Sequence, residues 1–275
     1  MDLRRQPPPP VLSTGAKATD AILKLPGEGR LIVITGIPNH GKSSWALFAA
    51  VHLMTAGRRF LVFSPEIQPW QHLVAHCAQI LVNKPFWPQP GIEPMTDVDV
   101  ARIEDWLEDR LILLVSDAED QAPTLDWILE RARLTVLRDG VTDLLIDPWN
   151  EVEHQRGALS ETEYVGRSLQ RLRSFAARHG VNVWIVAHPT KQQAAKPGGK
   201  IDPPGMYEIS GGANWANKAD LGITVHNPGT VTEIHLGKSR FGRWGRRGSK
   251  ATLEFDTITG RYSSPTAAVI GSQSG

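Results

Sequence analysis

Gly36-Ile37-Pro38-Asn39-His40-Gly41-Lys42-Ser43 follows the apolar run Leu31-Ile32-Val33-Ile34 and precedes the helical-looking stretch Ser44-Trp45-Ala46-Leu47-Phe48-Ala49-Ala50. The spacing G-x-x-x-x-G-K-[ST] between a strand and a helix is that of a phosphate-binding loop. A strand delivers the loop, the backbone N–H groups from Gly36 to Ser44 can wrap a triphosphate, and the helix presents its positive end to the same anion. In that arrangement Lys42 would neutralise the β- and γ-phosphates of the triphosphate, and the Ser43 hydroxyl would hold Mg²⁺. The competing reading of the same letters is a glycine-rich turn that merely starts a helix.

Outward from the loop, apolar runs alternate with helical spacings. Arg59 to Ser64 reads as a buried strand, and Gln68 to Val82 as a helix with Leu73, Cys77 and Ile80 at core spacing. The stretch Asn83 to Pro94 carries four prolines and reads as a surface loop. A helix from Thr96 to Arg110, a strand from Leu111 to Val115 and a helix from Leu125 to Arg138 follow. Leu144-Leu145-Ile146 is then a strand ending in Asp147. Ser160 and Glu163 form a capping box for a helix to His179, whose Val165, Leu169, Leu172 and Ala176 share one face. Val183 to Val186 is another apolar strand, ending at His188. Such strands, buried on both faces, predict an α/β fold with a mostly parallel sheet and helices on both sides. Leu221 to Val225, Val231 to Leu236, Ala251 to Phe255 and Arg261-Tyr262 are joined by turns, so they predict antiparallel strands added at one edge. Before the loop, Thr19 is expected to cap a short helix through Leu25.

In parallel sheets ligands sit at the C-terminal ends of the strands, which selects three further residues. Asp147 is placed to hold Mg²⁺ with Ser43, or else simply starts the turn at Pro148. Glu66 is placed to deprotonate the attacking water, although Ser64-Pro65-Glu66 also resembles an ordinary helix start. His188 could sense the γ-phosphate, or merely end its strand as His226 does.

The chain of 275 residues, 41% hydrophobic and 21% charged, has length for one large domain or two small ones. A net charge of +1 leaves nucleic-acid binding to local patches. Lys191, Lys196 and Lys200 lie in a basic, apolar-poor stretch suited to tracking a nucleic-acid backbone, or to being a solvated loop. Gly211, Gly212 and Asn214 introduce a short helix just beyond it. The cluster Lys238 to Arg247 interleaves cations with aromatics and suits nucleic acid or a neighbouring subunit's triphosphate. A single cysteine, Cys77, excludes an intramolecular disulfide and a cysteine-based zinc site. With no apolar run of about 20 residues and no secretory signal, a soluble cytoplasmic protein without membrane contact is expected. His72 and His76 lack the glutamate of a metalloprotease helix, and the nine tryptophans read as packing residues.

The set Gly36 to Ser43, Pro65-Glu66, Leu145 to Glu151, Val186 to Pro189 and Lys238-Ser239-Arg240 resembles the RecA-like helicase domain of the DnaB-type hexameric replicative helicases, in the branch of Twinkle and its phage and plant relatives. The resemblance runs from about Ser13 to about Tyr262. It implies residues 1–18 as a proline-rich linker, 19–263 as a RecA-like ATPase domain and 264–275 as a flexible tail. It further implies ATP and Mg²⁺ at Lys42, Ser43 and Asp147, Glu66 as catalytic base, and His188 as γ-phosphate sensor. Lys238 and Arg240 would act in trans on the neighbour's ATP, Tyr262 would stack on adenine, and the segments around Lys191 to Lys200 and Gly211-Gly212 would grip single-stranded DNA. The implied activity is 5′ to 3′ unwinding by a hexameric ring, in a bacterial or phage-infected cell, with a separate primase or polymerase as partner. The chain departs from that family in showing only a proline-rich stretch ahead of the domain. Val11 to Leu25 has length for at most two or three turns of the helix that docks on the next subunit. That departure bears on ring assembly, not on the nucleotide chemistry. A RecA-type recombinase and a regulatory ATPase without a DNA role share the same loop and fold.

Overall fold

The computed structural model describes residues 8, 10–116, 123–190 and 201–265. Its first elements are β1 (Val11–Leu12), α1 (Lys17–Asp20), β2 (Leu25–Pro26) and β3 (Leu31–Thr35), with α2 (Lys42–Thr55) directly after the glycine-rich loop. Then come β4 (Phe60–Phe63), α3 (Gln71–Val82), α4 (Asp97–Glu108), β5 (Leu111–Leu113), α5 (Leu125–Asp139) and β6 (Asp143–Ile146). The remainder is α6 (Glu161–His179), β7 (Asn182–Ala187), α7 (Ala213–Lys218), β8 (Leu221–His226), β9 (Thr232–Ser239), β10 (Lys250–Phe255) and β11 (Tyr262–Ser263).

Nine strands form one sheet in the order β11-β10-β9-β8-β3-β7-β6-β4-β5. From β8 to β5 neighbouring strands run parallel, and from β8 to β11 antiparallel. This is the mostly parallel α/β sheet with an antiparallel C-terminal edge that the apolar runs predict. The period-two alternation of a strand divides the core cleanly. Ile32, Ile34, Trp184 and Val186 face a cluster built with α2, α3 and α4, while Leu31, Val33, Val183 and Ile185 face one built with α5 and α6. The predicted face of α6 (Val165, Leu169, Leu172, Ala176) lies in the second cluster, and the Ser160–Glu163 capping box is formed. Trp45, Trp184, Trp215 and Trp244 are fully buried.

The N-terminal stretch differs from expectation. The helix is one turn over Lys17–Asp20, with Ala16 and not Thr19 at its N-cap, and Leu25–Pro26 pairs with Val11–Leu12 as a ribbon. The Asp20 carboxylate is the cause. It accepts from the Thr14 N–H at 2.7 Å and from the hydroxyls of Thr14 and Ser13, closing a tight loop in front of α1. Thr14 and Ala16 are buried and the Gly27 N–H donates to the Pro10 carbonyl, so packing begins well before residue 19. Among the described residues no helix is long and apolar enough to cross a membrane.

Candidate nucleotide site

The parallel strands β3, β4, β6 and β7 end side by side, and the loop after β3 closes over α2. Its shape depends on backbone that most side chains avoid. Gly36, Asn39 and Gly41 have φ of 152°, 63° and 87°, a backbone course that suits an anion nest, with the His40 N–H donating to the Ile37 carbonyl at 3.2 Å. A Cβ on Gly36 would lie 2.1 Å from the Val225 carbonyl oxygen, and one on Gly41 2.9 Å from the Tyr262 hydroxyl. Only glycine fits these two points.

The charged groups then meet in one cleft of about 610 Å³, lined by residues 38–44 with Glu66, His188, Asn227, Thr232, Phe255 and Tyr262, a size usual for small-molecule sites. Lys42 is buried at 3% exposure, and its ammonium donates to the Ile37 carbonyl at 2.9 Å. Burial pulls its pKa down to about 8, against the carboxylates of Asp147 and Glu66. The Ser43 hydroxyl donates to Asp147 Oδ1 at 3.0 Å. Burial pushes the Asp147 carboxyl up to about 6, opposed by that hydrogen bond. From β4 and β7, Glu66 and His188 face each other with Oε1 and Nε2 4.0 Å apart. Burial, then the charge of Lys42, holds the His188 imidazole below its usual range, and His188 Nδ1 has no hydrogen-bond partner among the described residues.

The donor set suits a magnesium–triphosphate. A hydroxyl and a carboxylate 3.0 Å apart are hard oxygen ligands, and a nest-like loop beside a desolvated ammonium is complementary to phosphate. A bound anion would relieve the strain that burial places on Lys42, and a bound cation that on Asp147.

Comparison with known proteins bears on what such a cleft serves. The chain is 37% identical over 265 residues to the Twinkle homolog protein, chloroplastic/mitochondrial, of Arabidopsis thaliana, a match over 92% of this chain and 36% of that protein. Over that span the chain is similar to a Twinkle homolog, and it spans about a third of that protein's length. No family model matches it. Among solved structures, an ATPase domain superposes with a TM-score of 0.71 at 13% identity, covering 86% of this chain and 85% of that one. A DnaB-like replicative helicase, described with its interactions with primase, gives 0.74 at 13% over 93% of this chain and 63% of its own. The RadB recombinase gives 0.61 at 16% over 93% of this chain and 100% of its own. At these identities the structures establish the RecA-like fold.

The remaining candidate residues make contacts of their own within the chain. Tyr262, expected on an adenine face, is 4% exposed. Its ring is packed between Phe48 and Phe255, and its hydroxyl donates to the Gly41 carbonyl at 3.4 Å. It therefore braces the loop at Gly41 while its edge shares the cleft wall with Phe255. Lys238 and Arg240 are engaged within their own chain. Lys238 donates to the carbonyls of Ala216 and Asn217, and Arg240 pairs with the buried Asp220 at 2.5 Å and donates to Asn217 and Ala219 at 3.2 Å. Both thereby cap the C-terminal end of α7, where cations are favoured. Gly211, Gly212 and Asn214 are pinned rather than free. A Cβ on Gly211 would meet Val165 at 2.8 Å, Gly212 has φ 40°, and the Asn214 amide donates to the Thr162 carbonyl at 2.9 Å. Lys191, Lys196 and Lys200 lie outside the described residues.

Sequence reasoning passes over His226, Asn227 and Phe255 as cleft neighbours. The Asn227 N–H donates to His40 Nδ1 at 3.0 Å, and the His40 and His226 rings lie 5.1 Å apart. The only available signal is that all three end or follow strands on the loop's side of the sheet.

Proposed function

We propose that the chain is the motor domain of an ATP-driven DNA helicase that works as a homo-oligomeric, hexameric ring, moving 5′ to 3′ on single-stranded DNA and parting the duplex ahead. The observation that carries this reading is one cleft holding the buried Lys42, the Ser43–Asp147 pair and the opposed Glu66 and His188, in a chain 37% identical to a Twinkle homolog.

The residues divide the work as follows. Lys42 exchanges its Ile37 carbonyl for β- and γ-phosphate oxygens, and the nest from Gly36 to Ser44 wraps the rest of the triphosphate. Ser43 and Asp147 would hold Mg²⁺, which would supply charge neutralisation for the triphosphate. Glu66 accepts the proton of the attacking water, and His188 donates from Nε2 towards the γ-phosphate. Because His188 directly precedes Pro189 and Thr190, and Thr190 bonds the Glu208 carbonyl at 2.8 Å, a shift of His188 reaches the segments proposed to hold DNA. Arg240, freed from Asp220, serves the neighbouring protomer's ATP, a contribution of roughly 10³ or more in rate. A separate primase or polymerase is the expected partner at the fork.

The test is phosphate release with and without single-stranded DNA, followed by unwinding of a forked duplex. Stimulation together with unwinding is the expected result. Unstimulated hydrolysis would instead mark a regulatory ATPase. The RadB likeness supports a recombinase as second reading, and strand pairing without unwinding would establish that one. Arg240→Ala should be inactive alone, yet recover part of its activity in rings mixed with Lys42→Ala protomers, because each supplies what the other lacks. If mixing restores nothing, Arg240 acts only within its own chain, as its bond to Asp220 would then explain.

A further inference from the structure

The phosphate loop is tied to the end of β8 at two points. Gly36 lies against the Val225 carbonyl so closely that no Cβ fits, and His40 Nδ1 receives the Asn227 backbone N–H at 3.0 Å. A backbone N–H only donates, so Nδ1 must carry a lone pair and His40 must be the neutral tautomer protonated at Nε2. Its surroundings favour that form. Burial, the facing His226 and the Lys42 ammonium hold the imidazole below its usual range. Behind His226 stand His235, bonded to Glu233 at 2.9 Å, and Lys250, bonded to the same carboxylate at 2.7 Å. Glu233 is thus already engaged, and no carboxylate is among the causes acting on His40.

The geometry points to His40 as a positioning residue for nucleotide: its Nδ1 lone pair, held by the Asn227 N–H, fixes the phosphate loop in its binding shape before the triphosphate arrives. His40 sits between Asn39 and Gly41, both at positive φ, where the loop's backbone is least able to hold its own shape. A loop that is already ordered loses less freedom on binding, so the tie acts on affinity rather than on the chemical step. The inference rests on the nucleotide reading of the cleft.

Three substitutions separate the hydrogen bond from the ring. His40→Phe keeps an aromatic ring against His226 but has no acceptor. His40→Asn keeps an acceptor at the same δ position but has no ring. His40→Ala removes both. Binding of ATP carrying a fluorescent ribose substituent, with Mg²⁺, is measured on the whole chain alongside steady-state hydrolysis and thermal melting. His40→Ala and His40→Phe should bind about 3- to 10-fold more weakly, the scale of one hydrogen bond. The loss should appear in KM more than in kcat, and His40→Asn should recover most of it. Wild-type-like binding by His40→Phe, or His40→Asn as weak as His40→Ala, overturns the inference. Wild-type protein that binds no labelled ATP overturns the nucleotide reading itself.

Discussion

Lys42→Ala is expected to lose ATP hydrolysis by about 10²- to 10³-fold or more, the scale of removing one preorganised charge from a transition state, while its melting temperature stays at or above that of the wild type. The fold is expected to survive because the ammonium is buried at 3% exposure and its pKa is drawn down to about 8 by that burial. A group desolvated in this way opposes folding in its charged form. Phosphate release and a thermal melt on the same preparation check both halves. Normal turnover would remove the loop from the chemistry altogether.

Asp147→Asn should separate stability from activity still more sharply. A carboxyl whose pKa stands at about 6, rather than near 4, is ionised at pH 7 at a folding cost of on the order of 1–3 kcal/mol. The sign follows from the direction. The folded-state pKa is raised, so the group stabilises the fold below its unfolded pKa, and that contribution is lost as pH rises through about 6. An amide of the same shape never ionises, and it still accepts from the Ser43 hydroxyl. The variant should therefore melt a few degrees higher at pH 7 and show no Mg²⁺-dependent turnover, since it lacks the anionic ligand that holds the metal. A lowered melting temperature would mean that Asp147 is a structural acceptor, not a metal ligand.

What the sequence makes legible is what depends on neighbours in the chain. The loop, the apolar strand before it, the helix after it and the capping box at Ser160 and Glu163 are all written within a few residues, and the structure contains each of them. Contacts between distant residues are not readable that way. The buried Asp143 that opens β6 is satisfied by Arg58 at 2.7 Å and by the Trp184 indole N–H at 2.9 Å, partners 85 and 41 residues away. Asn227 reaches His40 across 187 residues, and Tyr262 reaches Gly41 across 221. The N-terminal ribbon escapes for a second reason. Strands of two residues are too short to show any alternation, and the pairing that makes them strands depends on the Asp20 loop between them.

β9 carries a consequence for timing. It starts at Thr232 on the wall of the cleft, slips register against β8 at Gly237 and ends at Ser239, next to Arg240, so its eight residues span at most about 27 Å. If the far tip serves the adjoining protomer, every subunit is a seesaw with one end at its own fuel and the other at the next one's. On the proposed ring, firing in one compartment would then tilt the next, and turnover would pass in sequence from subunit to subunit.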